Sequence, residues 1–362
     1  MIKQDIPKIR FYSYQGSWTE NRIADIVKIS AGGDVDKVKL KESGKYPVIA
    51  NALTNKGIVG FYEDYKVKAP AVTVTGRGDV GYAVARHENF TPIVRLLTLQ
   101  SEKIDVDYLE NQINSMRILN ESTGVPQLTA PQLGNYKVYY PEIEEQSAIG
   151  SLFRTLDDLL ASYKDNLANY QSLKATMLSK MFPKDGQTVP EIRLDGFEGE
   201  WKRKNLSEVC NINSGRDYKH LKDGDIPVYG TGGYMLSVND KLSDEDAIGI
   251  GRKGTIDKPY LLSAPFWTVD TLFYVTCKVG YDLYYLFLIF QKVRWKKFDE
   301  STGVPSLSKK TIEKVVSKFP SLPEQQAIGA YFSNLDNFIN SHQEKISQLE
   351  ILKKKLLQDM FI

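Results

Sequence analysis

The chain has 362 residues, 42% of them apolar and 25% charged, with 47 basic against 45 acidic side chains. This composition belongs to a folded protein long enough for two domains and excludes a disordered or low-complexity chain. The apolar runs fall far short of the roughly 20 residues of a membrane span, and MIKQDIPKIR carries no apolar signal region. Two cysteines and three histidines predict neither a disulfide scaffold nor a metal centre, so a cytoplasmic, metal-free protein is expected.

In chain order, a turn-rich opening segment, IPKIRFYSYQGSW (6–18), leads into short β-rich runs such as AVTVT before Gly76. A helix is expected near 106–118, followed by Ser122-Thr123-Gly124-Val125-Pro126. After Pro141, apolar residues recur at Ile149, Leu152, Leu156, Leu159, Tyr163, Tyr170, Leu173 and Met177. These steps of three and four trace a heptad seam interrupted at Asn166.

Then the order repeats. VPEIRLDGFEGEW (189–201) matches the opening segment, Pro227 matches Pro47, and Gly251-Arg252 is aligned with Gly76-Arg77. AIGI and TLFYVTCKV supply strands, a helix is expected at 283–293, and Ser301-Thr302-Gly303-Val304-Pro305 returns before the closing helix. Its seam is Ile328, Tyr331, Leu335, Phe338, Leu349, Leu352 and Leu356, broken by His342 and Lys345. The chain is a duplication.

The expected fold class is α+β: two mixed, mostly β domains in tandem repeat, separated by two long antiparallel helices that form a coiled-coil-like spacer with a pseudo-twofold. The boundaries expected are 1–141 for the first domain with its opening segment 1–17, 142–182 for the central helix, and 183–200 for a linker. The second domain takes 201–320 and the closing helix 321–362. Each helix runs up to about 40 residues, ~60 Å. So narrow a seam is expected to pair with the other helix rather than with a small β domain. The seam set is Leu156, Tyr163, Asn166 and Tyr170 against Leu335, His342, Lys345 and Leu349, with polar middles opposed to set register.

No catalytic constellation emerges. Gly249, Gly251 and Gly254 fit GxGxxG, but Pro259 follows where a nucleotide-binding turn needs a helix. No phosphate loop, HExxH or GxSxG is present, and no His, Cys or carboxylate cluster recurs between the copies.

Two similar but non-identical modules related by a dyad suit a duplex with two inverted half-sites. Residues 201–320, with 19 basic and 14 acidic side chains, permit such a partner. Shared residues (Trp18/Trp201, Gly32/Gly215, Asp34/Asp217, Arg77/Arg252, Thr123/Thr302) hold the fold or touch phosphate, whereas differing loops can read different bases. Arg77 and Arg252, at glycine turns after strands, either reach phosphate or guanine or close a salt bridge within the turn. The further loop candidates for DNA contact are Thr54, Asn55, Lys56, Arg216, Tyr218, Lys219, Thr231, Gly232 and Lys253.

The phrase P-x-I-R-x-x-x-(Y/F)-x-G-x-W opening each half, the STGVP before each helix, and the paired helix starts EEQSAIGSLFRTLD and PEQQAIGAYFSNLD resemble the specificity (S) subunit of Type I restriction–modification enzymes. The resemblance covers essentially the whole chain. It implies that each β-rich domain is a target-recognition domain for one half of a bipartite, asymmetric double-stranded DNA site. It also implies that the helices dock two methyltransferase subunits, with restriction subunits joining to form the nuclease. S-adenosylmethionine, ATP and Mg would then belong to those partners, and this chain would be non-catalytic with no cofactor of its own. The competing expectation is a duplicated adaptor that binds proteins rather than DNA.

Overall fold

The structure, a computed structural model, describes residues 6–116, 118 and 126–361. It divides into two compact units: one takes the chain up to Asp165 together with Glu344 onward, the other Asn166–Gln343. Both are built to one plan. In the first unit a four-stranded antiparallel sheet runs in the order Lys28–Ala31, Leu97–Gln100, Ala71–Val74, Ala83–Arg86. A second sheet pairs the hairpin Tyr46–Ile49/Ile58–Tyr62 with Thr91–Pro92 in parallel, and Thr19–Arg22 pairs with Lys137–Tyr140. The second unit repeats each part: Cys210–Ser214, Leu272–Cys277, Ala247–Gly251, Tyr260–Leu262; Gly233–Val238, Asp223–Gly230, Trp267–Thr268; and Lys202–Asn205 with Val316–Phe319.

Register corrects one detail of the repeat. Val72 faces Leu99 as Ile248 faces Val275, and Leu99 faces Ile29 as Val275 faces Ile212. Counting along the strands makes Gly76 equivalent to Arg252, and Arg77 equivalent to Lys253. The bridges Arg77–Gln127 and Lys253–Ser306 agree, as do Gly78 N–H to Pro126 O (3.2 Å) and Gly254 N–H to Pro305 O (2.8 Å). The shared Gly-Arg dipeptide is a coincidence displaced by one position.

Besides one-turn helices such as Ile23–Ile26 and Leu206–Val209, the longer helices among the described residues are α1 (Val106–Ser115), α2 (Ile143–Lys180), α3 (Leu283–Lys292) and α4 (Leu322–Asp359). The long pair has 38 residues each. The repeated helix start fastens each long helix to its domain. Glu145, 2% exposed, receives both Nε (2.6 Å) and Nη2 (2.7 Å) of Arg10, whose remaining donors reach Gly16 O and Gln15 O. Arg193, Glu324, Gly199 and Glu198 repeat this arrangement at 2.7–2.8 Å. Gln146 accepts from Asp105 N–H (2.9 Å) and Gln325 from Asp282 N–H (3.2 Å), and both aspartates cap the short helices, α1 and α3. Next comes Gly150 or Gly329, where the cap lies against the helix backbone.

The seam itself differs from the sequence expectation. Ile149, Leu156, Tyr163, Tyr170 and Met177 hold their places, but the alternate members fall one residue later, on Phe153, Leu160, Leu167 and Lys174. In α4 the set is Ile328, Phe332, Leu335, Ile339, His342, Ile346, Leu349, Lys353 and Leu356. Asn166 and Lys345 are therefore exposed and off the seam, as are Leu159, Leu173 and Leu352. A step of three followed by four and its reverse differ only in the intermediate residue, and periodicity alone does not choose between them. His342 stays on the seam, edge-on to Tyr170 at 5.2 Å, while Phe338, though half-exposed, stacks on Tyr170 at 5.4 Å. The helices are antiparallel within each unit: Lys353–Asp157 and Lys164–Glu350 in the first, Lys174–Asp336 in the second.

Nor is the seam reserved for helix pairing. The first turns of α2 bury Ile149 and Phe153 in the core of Trp18, Val72 and Tyr108, and Phe361 closes that core against Tyr108 (5.4 Å) and Phe153 (5.7 Å). In the second unit Ile328 and Phe332 join Trp201, Ile248 and Tyr285, closed by Phe182. Trp18 and Trp201 are core residues, 5% and 3% exposed. Thr123 lies outside the described residues.

Candidate nucleic-acid interface

In the first unit three turns meet at one end of the sheets. The hairpin loop after Ile49 contains Asn55 and Lys56, both at φ +49 and both exposed together with Thr54. The turn after Val74 exposes Arg77, and the turn between Ile93 and Leu96 exposes Arg95. Asn51 clips all three: its Oδ1 accepts from Gly76 N–H (2.7 Å) and its Nδ2 donates to Val94 O (2.6 Å). Below them, buried Arg86 donates to Lys56 O (2.7 Å) and Thr73 Oγ1 (3.0 Å). Burial lowers its pKa to about 10, still well inside the charged range at neutral pH. A cavity of 210 Å³ opens between Arg77 and Arg95, with Gln127 and Thr129 on its wall.

The second unit builds the same place differently. The hairpin is closed by Thr231 and Gly232 alone, and a Cβ on Gly254 would stand 3.9 Å from Thr231 Oγ1. The tip therefore lies beside the turn of Arg252 and Lys253, both exposed. The Arg252 guanidinium lies 5.9 Å from the Phe273 ring centre, a weak cation–π contact at an exposed site. Arg216 is exposed but anchored through its backbone, its N–H to Thr268 O (2.8 Å) and its O from Trp267 Nε1 (2.9 Å). Lys219 is exposed, whereas Tyr218 is partly buried against the Val228–Trp267 core. Tyr260 OH donates to Gly230 O (2.6 Å), fixing the hairpin tip, and burial raises its pKa.

Named from the sequence as separate loop candidates, Arg77, Lys56, Asn55 and Thr54 are brought by the fold to one end of the first unit, and Thr231, Gly232, Arg252 and Lys253 to the corresponding place in the second. Sequence reading missed Arg95 and the clip by Asn51. The dipeptide Val94-Arg95 has none of the Gly, Asn or Asp that announces a turn. Both faces offer cations, amides and hydroxyls. Cys210 and Cys277, opposite one another across two strands, are pushed up to about 12 by burial and are poor nucleophiles. Among the described residues no cluster of metal-ligating side chains occurs, and no helix is long and apolar enough to cross a membrane.

A family model for the Type I restriction modification DNA specificity domain matches residues 15–169 and again 198–351. A putative type I specificity subunit of Mycoplasma pneumoniae is 23% identical over 353 residues, covering 92% of this chain and 94% of that protein. A Type I restriction enzyme specificity subunit of Methanocaldococcus jannaschii is 21% identical over 397 residues, covering 94% and 91%. The crystal structure of the S subunit of a Type-I restriction-modification system from M. genitalium shares the fold, with a TM-score of 0.78 over 99% of both chains at 18% identity.

Proposed function

Because the chain belongs to the Type I restriction–modification DNA specificity family, matched in both halves, we propose that it selects a bipartite double-stranded DNA target, one half-site per domain. The observation that carries this is the contrast between the two faces. Frames identical in strand order present a long loop with Lys56 beside the turns of Arg77 and Arg95 in one unit, and a two-residue tip beside the turn of Arg252 and Lys253 in the other. Equal frames with unequal tips are what an asymmetric site asks for, since backbone contacts position a protein and base contacts specify.

The chain itself performs no chemistry in this reading. Methyltransferase subunits carry S-adenosylmethionine, and restriction subunits carry ATP and Mg. Leu159 and Leu352 in the first unit, and Leu173 and Phe338 in the second, leave apolar surface on the outer faces of α2 and α4, where two methyltransferase subunits would dock.

The test is methylome sequencing of cells that express the chain with its methyltransferase subunits. A split adenine motif should appear only with the chain present, and exchanging residues 18–141 should change one half of it. A genome left unmethylated, together with no salt-dependent DNA binding by the complex, would favour the adaptor.

A further inference from the structure

The turn at Val94-Arg95 is built against local preference. Leu96 N–H donates to Ile93 O (3.1 Å) with Val94 at φ +52 and Arg95 at φ +59, a type I′ turn that normally takes Asn-Gly or Gly-Gly. Valine at positive φ is an outlier even among turn residues. The equivalent turn of the second unit closes the same way, Leu272 N–H to Val269 O (3.0 Å), yet Asp270 and Thr271 stay at negative φ. The strain is therefore not a requirement of the fold.

Hydrogen bonds hold it in place from several sides. Val94 N–H donates to Gly33 O (2.8 Å), Arg95 N–H to Gly32 O (3.0 Å), and Asn51 Nδ2 to Val94 O (2.6 Å). Glycine would satisfy this backbone without strain, so a long cation kept there points to use of its side chain. That side chain stands exposed on one wall of the 210 Å³ cavity that Arg77 also lines.

We propose that Arg95 is a DNA-contacting residue of the first domain, acting beside Arg77 on an acceptor oxygen of the strand, and that Asn51 is the positioning residue that holds the two turns together. The proposal rests on the DNA-specificity reading above. The acceptor is either a phosphate or a guanine edge, and the measurement separates them.

The target duplex is first taken from the mapped methylation motif; failure to find any chain-dependent motif overturns the DNA-specificity reading and this proposal with it, whereas the Arg95 variants test this proposal alone. Arg95→Gly, Arg95→Ala and Asn51→Ala are then compared with the wild-type full chain by thermal melting, and in the methyltransferase complex by fluorescence anisotropy on that duplex. Arg95→Gly should melt about 2–4 °C higher while binding weakens about tenfold, and Arg95→Ala should lose affinity equally without the gain in melting temperature. Asn51→Ala should weaken binding too, and by less in the double variant Asn51→Ala/Arg95→Ala, where only the hold on the Arg77 turn is left to lose.

A phosphate contact appears as equal loss on all sequences with a salt slope smaller by about one. A guanine contact appears as lost discrimination at one base pair of the first half-site. Either supports the proposal. Unchanged binding in both Arg95 variants, or a lower melting temperature in Arg95→Gly, overturns it.

Discussion

Alanine at Gly150 or Gly329 is the sharpest test of how the domains are fastened to the long helices. A Cβ on Gly329 would stand 2.6 Å from Asp282 Oδ1, the cap of α3, with the next atoms at 3.3 and 3.5 Å. On Gly150 it would meet Asp105 Oδ1 at 2.8 Å, Asp107 Cβ at 2.9 Å and Tyr108 N at 3.0 Å. Helix propensity favours alanine by about 1 kcal/mol. Displacing a cap costs about 1 kcal/mol and overpacking a further 1–3 kcal/mol, so the clash wins. The carboxylate of Asp282 can swing aside, whereas the α1 backbone cannot. Net losses of about 1–2 kcal/mol for Gly329→Ala and about 2–3 kcal/mol for Gly150→Ala are expected, the latter lowering the melting transition by roughly 5–10 °C. Urea unfolding of single and double variants decides it. Asp282→Ala should relieve part of the Gly329→Ala loss, because the atom in the way is removed. Asp105→Ala should relieve little of the Gly150→Ala loss, because Asp107 Cβ and the Tyr108 backbone remain. A Gly150→Ala chain as stable as wild type would refute the reasoning.

Three further outcomes are expected. Arg193→Met strands Glu324, 2% exposed, and should cost about 3 kcal/mol in urea unfolding, most of it regained in the double variant Arg193→Met/Glu324→Leu; an additive double variant would contradict this. Glu110, in α1, is pushed up to about 7, first by burial and further by Asp157 and Asp107. The folded state therefore holds this proton more tightly than the unfolded chain. Stability relative to Glu110→Gln should be full below about pH 4.5, fall as pH rises through 7 and level off above, a change on the order of 3 kcal/mol; a flat difference between the two melting curves would refute it. With both thiols raised to about 12, Cys210 and Cys277 should resist iodoacetamide at pH 8 in the native chain and label rapidly in urea, as read by intact mass; rapid native labelling would count against their burial.

What the residues determined by themselves was the architecture. A duplication shows in sequence because equivalent folds need the same special residues at the same places: Arg10 and Arg193 to hold the buried glutamates, and Gly150 and Gly329 to admit the capping aspartates. A run free of Pro and Gly, over 151–182 and over 330–362, likewise sets helix length. Three things waited on tertiary structure. The alternate seam members depended on whether Asn166 or Leu167, and Lys345 or Ile346, turned inward, which neighbouring side chains decide and periodicity of 3.5 does not. The pairing of Arg77 with Lys253 needed strand register, since an identical dipeptide one position away outweighs a one-residue slip in any linear comparison. The exposure of Arg95 beside Arg77 depended on a strained turn that contradicts local propensity, stabilised by Asn51 from a loop more than forty residues earlier. Local preferences are written along the chain, but a conformation held against them is set only by the groups that the fold brings beside it.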